Sequence, residues 1–238
     1  MQTSLYVGLS GQMALQKRMD TIAHNIANVQ TTGFRGETIN FQAVLKQAGD
    51  DSVAFADSGK TFISRESGGL SKTGNPLDVA VSGPGWLSYS TPNGPVFSRD
   101  GRMSIDNGGI LRSVNGYPVL DAGKSPITVD PKNGALSIAS DGMISQGGKQ
   151  VGAIGLFSLP ASAKLTRFDN SSVVSDKPAE PVLDFVSNSI NQGYLEGSNV
   201  EPASQMIQLI AVTRAFDAVT NATETTEGTT KDAIKTLG

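Results

Sequence analysis

Few side chains in this sequence could do chemistry. His24 is the single histidine and cysteine is absent, which removes His-based triads, His-rich metal sites and thiolate nucleophiles. Acidic pairs remain, Asp50 beside Asp51 and Asp106 with Asp121. Two carboxylates flanking a sugar bond are what a glycosidase needs, but Asp-Gly and Asp-Asn in hairpin compositions have a sufficient explanation as turn formers. Gly83-Pro84-Gly85 lacks the spacing and the helix context of a phosphate loop. His24 reads as a packing or solvated residue of a helix face. The expectation is therefore no catalytic, cofactor-binding or metal-ligating residue, and no cofactor.

Charge and hydropathy exclude further classes. The formal net charge is -3 over 238 residues, with acids and bases interspersed, so no basic face exists to neutralise a nucleic-acid backbone or anionic headgroups. No stretch approaches the roughly 20 apolar residues that a membrane span requires. The first twenty residues include Gln2, Gln12, Gln16, Lys17, Arg18 and Asp20, and read as neither a cleavable signal peptide nor a membrane anchor. The 38% hydrophobic content suffices for one large domain or two small ones.

The elements fall into three kinds. Leu15, Met19, Ile22, Ile26 and Val29 recur at spacings of four and three, the apolar seam of a helix over residues 3–29. Thr3 or Ser4 would cap it and Gly33 would stop it. At about 1.5 Å per residue it is about 40 Å long. Met206, Leu209, Thr213 and Phe216 carry a like seam near the other end, in a helix that opens after Ser198-Asn199 with Glu201-Pro202 in its first turn. That seam fades after Val219, where Thr, Glu and Gly228 give mediocre helix propensity. Between the helices lie short alternating runs, among them 77–81, 86–89, 103–105, 119–120, 127–129 and 136–138. Strong turn dipeptides separate them: Asn93-Gly94, Asp100-Gly101, Asn107-Gly108, Asn115-Gly116, Asn133-Gly134 and Asp141-Gly142. Residues 170–181 read as an exposed loop. The fold class is thus mainly β with α-helical termini: an N-terminal helical segment (1–35), an extended or partly helical connector (36–70), an all-β domain of short antiparallel strands (71–190) and a C-terminal helix (191–238).

Longer strings then carry a resemblance. TIAHNIANVQTTGFR, Thr21 to Arg35, resembles the N-terminal signature of the flagellar rod and hook family, a helix ending in ANNIANVNTPGFK. Ala23, Asn25, Ile26, Ala27, Asn28, Val29, Thr31, Gly33 and Phe34 match, while His24 stands for an Asn and Thr32 for a Pro. GYLEGSNVEP, Gly193 to Pro202, is similar to the family's G-x-L-E-x-S-N-V motif, and Arg214-Ala215-Phe216 to its Arg-aromatic element. The interior agrees at Gly74 to Val81, Ser98 to Arg102 and Asn115 to Leu120. A single middle domain resembles the proximal-rod members, with the distal-rod members as the alternative.

The resemblance implies a structural subunit of the flagellar basal-body rod, self-assembling into a helical tube for motility and torque transmission. Its terminal helices would pair as a coiled coil on assembly and be largely disordered before it. Partners would be proximal and distal rod subunits, further copies of the chain and the flagellar type III export apparatus, with no nucleic acid and no membrane insertion. The location would be the periplasmic rod, reached without a cleavable signal peptide. The assembly interface is expected at Leu15, Met19, Ile22, Asn25, Ile26, Asn28, Val29, Gly33 and Phe34, and at Leu195, Ser198, Asn199, Val200, Met206, Leu209, Arg214 and Phe216. Asn25, Asn28 and Asn199 would set register. Two readings from other classes are a monomeric β-domain adhesin and a glycan-active enzyme.

Overall fold

The structure, a computed structural model, describes residues 2–48, 51–56 and 59–237. Asp50, singled out above, lies outside them. Helix α1 spans Gln2–Ala27, so Val29 falls beyond it in the following turn. It is succeeded by β1 (Glu37–Asn40), β2 (Ala43–Ala48), β3 (Asp51–Ala56) and β4 (Lys60–Ile63), with β1 beside β4 and an antiparallel β2–β3 pair. The segment expected as a connector is thus extended, and largely strand. Residues 1–27 and 37–62 form one compact unit with 201–238, which holds helix α2 (Pro202–Leu237).

The other unit comprises residues 28–36 and 63–200. It carries β5 (Leu70–Lys72), β6 (Val79–Ser82), β7 (Trp86–Thr91), β8 (Gly94–Ser98), β9 (Met103–Ile105) and β10 (Leu111–Ser113). There follow β11 (Leu136–Ile138), β12 (Met143–Gln146), β13 (Lys149–Ala153), β14 (Leu156–Ser158) and β15 (Leu165–Arg167). β16 (Ser172–Ser175), β17 (Glu180–Pro181), β18 (Ser189–Gln192) and β19 (Tyr194–Glu196) complete it. Its largest sheet has the order β15-β16-β8-β7-β14-β17, every neighbour antiparallel. β11-β12-β13 form a second sheet, and β9–β10, β6–β18 and β5–β19 pair separately.

The large sheet is buried on both faces, which explains its apolar dipeptides. Successive strand residues point to opposite faces, so Trp86-Leu87, Val96-Phe97 and Leu156-Phe157 each divide between two cores. Leu87, Val96 and Leu156 join Tyr89, Leu111, Val119 and Ile144 in one cluster. Trp86, Phe97 and Phe157 join Leu159, Leu165 and Val173 in the other. The register agrees, with Leu156 opposite Leu87, Phe157 opposite Trp86 and Val96 opposite Tyr89. The hairpin β12–β13 closes through Gly147-Gly148, whose φ values of 57° and 79° suit a two-residue turn with both central residues left-handed.

Two local expectations need correction. Residues 170–181 are not an exposed loop throughout: β16 lies between β15 and β8 with Val173 fully buried, and the exposed, irregular part is 176–179. Its Ser-rich flank reads as loop because serine favours loops; here Ser171 and Ser172 are buried, and Ser171 supplies its carbonyl to the Ser98 hydroxyl at 3.0 Å. Asp100-Gly101 is no hairpin turn either. A Cβ at Gly101 would strike the Val79 carbonyl, and Asp100 grips the Arg102 guanidinium at 2.6 Å. Of the four carboxylates weighed for glycoside chemistry, Asp51 lies in β3, while Asp106 and Asp121 form turns. Asp106 accepts from the Gly108 and Ile110 amides at 2.9 Å, and Asp121 from the Ser125 amide at 2.8 Å.

Tyr89 is buried, and its hydroxyl donates to the Asp100 carbonyl at 2.5 Å. Burial first, then the Asp100 charge, pushes its phenol well above the ordinary value of 10.0. The unfolded chain releases this proton near pH 10 and the folded chain keeps it. The folded state therefore binds more protons above that pH, and stability falls as pH rises past about 10. Tyr89→Phe should flatten this fall. Urea midpoints measured across the alkaline range would check it, and an unaltered slope would exclude Tyr89 as its source.

Candidate assembly interface

Within the helical unit, α1 and α2 run antiparallel. Gln12 donates to the Thr220 hydroxyl at 3.1 Å, the Thr213 hydroxyl meets the Met19 sulfur at 3.7 Å, and Asn25 donates to Gln205 Oε1 at 3.2 Å. On α1, Leu15, Met19 and Ile26 are half-buried around the buried Ile22. On α2, Gln205, Leu209, Phe216 and Val219 are half-buried around the buried Val212. The α2 seam is thus one residue out of phase with the expectation at its start. Met206 is 54% exposed, because Gln205 takes the seam position to meet Asn25. Arg214 is exposed, and so is Thr213 apart from its sulfur contact.

The helix does not end where the seam fades. Thr220, Thr223, Thr225, Thr226 and Thr229 each donate a hydroxyl to the carbonyl four residues earlier, at 2.8–2.9 Å. Hydroxyls satisfied this way no longer compete for other backbone geometries. Close helix approach also needs small residues: a Cβ on Gly8 would come within 2.8 Å of the Thr223 hydroxyl.

Asn25 is buried and acts as a strand in miniature. Its amide nitrogen donates to the Glu37 carbonyl and its oxygen accepts the Glu37 amide, both at 2.8 Å. Asn28, in the other unit, accepts from the Thr31 hydroxyl at 3.0 Å in the turn after α1. Both asparagines set local geometry within this chain.

Within the β unit, the residues that leave α1 and those that approach α2 meet in a polar knot. Gly33, at φ 68°, donates its amide to the Glu196 carbonyl at 2.7 Å. A Cβ there would run into the backbone of Arg99 and Asp100, so glycine is required on two counts. Phe34 is fully buried with the Arg167 guanidinium 4.5 Å from its ring centroid. Asn199 is fully used: its oxygen accepts the Gly36 amide at 2.7 Å, and its nitrogen donates to Ser64 Oγ and the Glu66 carbonyl, both at 2.9 Å. Ser198 Oγ accepts from the Val200 amide at 3.2 Å, and Leu195 lies in β19 opposite Ser71. Ser198, Val200 and Leu195 are all half-buried.

At the centre of the knot is Glu196, which the residue-by-residue reading did not single out. Its carboxylate is 0% exposed, between Arg35 at 2.6 Å and Arg99 at 3.1 Å, both 1% exposed. It also accepts the Gly68 amide at 2.8 Å. Arg99 donates to the carbonyls of Val81 at 3.0 Å and Gly83 at 2.5 Å, and Arg35 to that of Glu66. Both guanidinium carbons stand over Trp86, 5.6 and 5.4 Å from the ring centroid, within cation–π range. Burial lowers the Arg35 pKa from its ordinary value to about 10, with Glu196 pulling it up and Arg99 pushing it further down. Arg99 is lowered too, by burial against the pull of Glu196. Arg35 remains cationic at neutral pH. The signal available in sequence was the presence of Arg35, Arg99 and Glu196 inside the quoted strings, but nothing there pairs them.

Removing one partner of a buried ion pair leaves the other charge uncompensated, at a cost of about 3–5 kcal/mol. Glu196→Gln should destabilise the β unit by that order. Urea unfolding followed through Trp86, the single tryptophan, reads this directly; a loss below about 1 kcal/mol would show the charge to be dispensable.

Three family models match. That described as "Flagella basal body rod protein" covers residues 5–35, "Flagellar hook protein FlgE/F/G D1 domain" covers 80–146, and "Flagellar basal body rod FlgEFG protein C-terminal" covers 191–236. The flagellar basal-body rod protein FlgF of Mesorhizobium japonicum is 46% identical over 238 residues, covering 100% of this chain and 99% of that protein. FlgF of Rhizobium meliloti is 44% identical over the same shares. The rod protein FlgG of Bacillus subtilis is 28% identical, over 92% of each chain.

Proposed function

We propose that this chain, which belongs to the flagellar basal-body rod protein family, builds the proximal rod by packing its paired helices against those of neighbouring subunits. It is a structural subunit of the flagellar basal body. The resemblance implies a proximal place, and the relatives at 46% and 44% identity share the name FlgF, against 28% for one named FlgG. In this reading the chain reaches the periplasmic rod through the type III export apparatus and meets proximal and distal rod subunits and its own copies. Joined as a coiled-coil tube, these subunits transmit torque. The role is mechanical rather than enzymatic: the relatives are structural rod proteins, and of the acids weighed above Asp106 and Asp121 are engaged in turns.

One observation carries the reading. Among the residues of α1 and α2 whose burial is described, only Ile22, Asn25 and Val212 are buried, while Tyr6, Leu9, Met13, Met206, Ile207 and Ile210 are 49–69% exposed. A helix stabilised by so little packing gains its order from neighbours, so folding of the ends is coupled to assembly. In the purified chain, amide exchange across α1 and α2 should be fast beside a protected β unit. Helices as protected as the sheet would mean a self-sufficient protein.

Ile26→Asp tests the assembly role. It places a charge in the α1 seam and leaves the β unit untouched. Cells relying on this variant should lose swarming while its Trp86 unfolding curve matches the parent's. Normal swarming would overturn the reading.

A further inference from the structure

Four Asn-Gly pairs stand in turns of the β unit: Asn93-Gly94, Asn107-Gly108, Asn115-Gly116 and Asn133-Gly134. An asparagine carboxamide before a glycine holds an electrophilic carbon within reach of the next backbone nitrogen, and glycine has no Cβ to hinder the approach. Whether that nitrogen can attack depends on what holds it. The Gly108 amide donates to Asp106 Oδ1 at 2.9 Å and the Gly116 amide to the Ser113 carbonyl at 2.9 Å, while the Asn115 side chain is itself tied to Asp169 Oδ2 at 2.9 Å. Gly94 stands opposite Thr91 in the β7–β8 ladder, followed by Pro95 opposite Ser90. Proline has no N–H, so the alternation of an antiparallel ladder makes Thr91 and Gly94 the hydrogen-bonded pair. Asparagines before serine are closed as well: the Ser171 amide after Asn170 donates to Asp169 Oδ1 at 3.0 Å, and Asn188, before Ser189, is buried with its side-chain oxygen on the Gly85 amide at 2.7 Å.

The fourth pair is open. Residues 131–135 are all exposed, and among the described residues none hydrogen-bonds to the Gly134 amide or to the Asn133 side chain. Only the ends of this loop are fixed. Gln146, 2% exposed, donates to the Asp130 carbonyl at 2.7 Å and the Gly134 carbonyl at 2.9 Å, and accepts the Asp130 amide at 3.1 Å.

We propose that Asn133 is the site at which the folded chain modifies its own backbone, converting to a mixture of aspartate and isoaspartate. The Gly134 nitrogen gives its proton to solvent base and attacks Asn133 Cγ. A C–N bond forms there as the carboxamide C–N bond breaks, and ammonia leaves with a proton from water. Water then opens the resulting cyclic imide at either carbonyl, giving aspartate in the original backbone or isoaspartate with the backbone routed through Cβ and Cγ. No oxidant, reductant or cofactor enters. Both products put a carboxylate where a neutral amide stood. The isoaspartyl form also adds a backbone atom between the two carbonyls that Gln146 holds, and its free carboxyl is the group that isoaspartyl methyltransferases recognise.

Cleavage after Lys and Arg separates the four pairs, because Arg99, Arg102, Arg112, Lys124 and Lys132 lie between them. The purified full chain is aged in mildly alkaline buffer, both folded and in urea, then digested, and the acid form of each peptide is measured by mass spectrometry against a sample taken before ageing. Isoaspartate is read by enzymatic carboxyl methylation. A glycine amide that must first give up a net hydrogen bond attacks about fivefold more slowly. The Asn133 peptide of the folded chain should therefore convert at least about fivefold faster than the other three, with isoaspartate among its products, and urea should bring the four rates together. Asn133→Gln should remove the main acid form of the folded chain and leave the Trp86 unfolding midpoint where it was. Another pair converting as fast in the folded chain overturns the proposal. So does the same ranking in urea, which would show the fold to play no part, or aspartate as the sole product, which would mean direct hydrolysis without attack by Gly134.

Discussion

In the β unit, the chain leaving α1 and the chain approaching α2 converge on one buried carboxylate. Glu196 is placed where no water reaches it, so its charge must be met by protein, and Arg35 and Arg99 meet it from two sides. The resulting group is a net cation. Its excess charge is spread over the carbonyls of Val81, Gly83 and Glu66 and over the Trp86 face. A hydrophobic trio of like volume could be as stable. It would lack the directional charge-assisted hydrogen bonds that hold Glu196. Glu196 therefore does more than fill space: with its carbonyl held by Gly33 and its carboxylate by Gly68, it fixes three stretches of chain to one point.

That constraint explains why the neighbouring residues have so little freedom. Gly33 must be left-handed to bring its amide to Glu196 and must lack a Cβ to clear Arg99 and Asp100. Phe34 enters the interior behind it under Arg167. Asn199, three residues after Glu196, ties Gly36, Ser64 and Glu66 with every polar atom of its amide engaged. The segment leaving α1 and the segment approaching α2 are thus stitched within the same unit. Neither can shift without unpairing a buried charge.

Much of this was legible in sequence, and the gaps have physical causes. Strands 103–105 and 136–138 follow from alternation and turn chemistry alone, since both properties are local. The strand at 172–175 was hidden because serines mark loops on average; here Val173 supplies the burial and the β8 backbone supplies the bonds. The phase of α2 slipped at Met206, since apolarity alone cannot reveal that Gln205 is wanted inside by Asn25. Asn25, Gly33 and Phe34, expected at an assembly interface, have specific partners within the chain. The triad was not, because Arg99 and Glu196 lie 97 residues apart and only the fold brings them together.

The contrast between the two units is itself informative about assembly. The β unit spends its buried polar groups on ionic bonds with one acceptable geometry. The α1–α2 seam is lined instead by neutral pairs, Gln12 with Thr220 and Asn25 with Gln205, around few buried apolar side chains. Neutral hydrogen bonds contribute about 0.5–1.5 kcal/mol net. Such a seam can select one register while adding little stability. The β unit is held by ionic bonds, and the helices carry Tyr6, Leu9, Met13, Met206, Ile207 and Ile210 exposed on their surface.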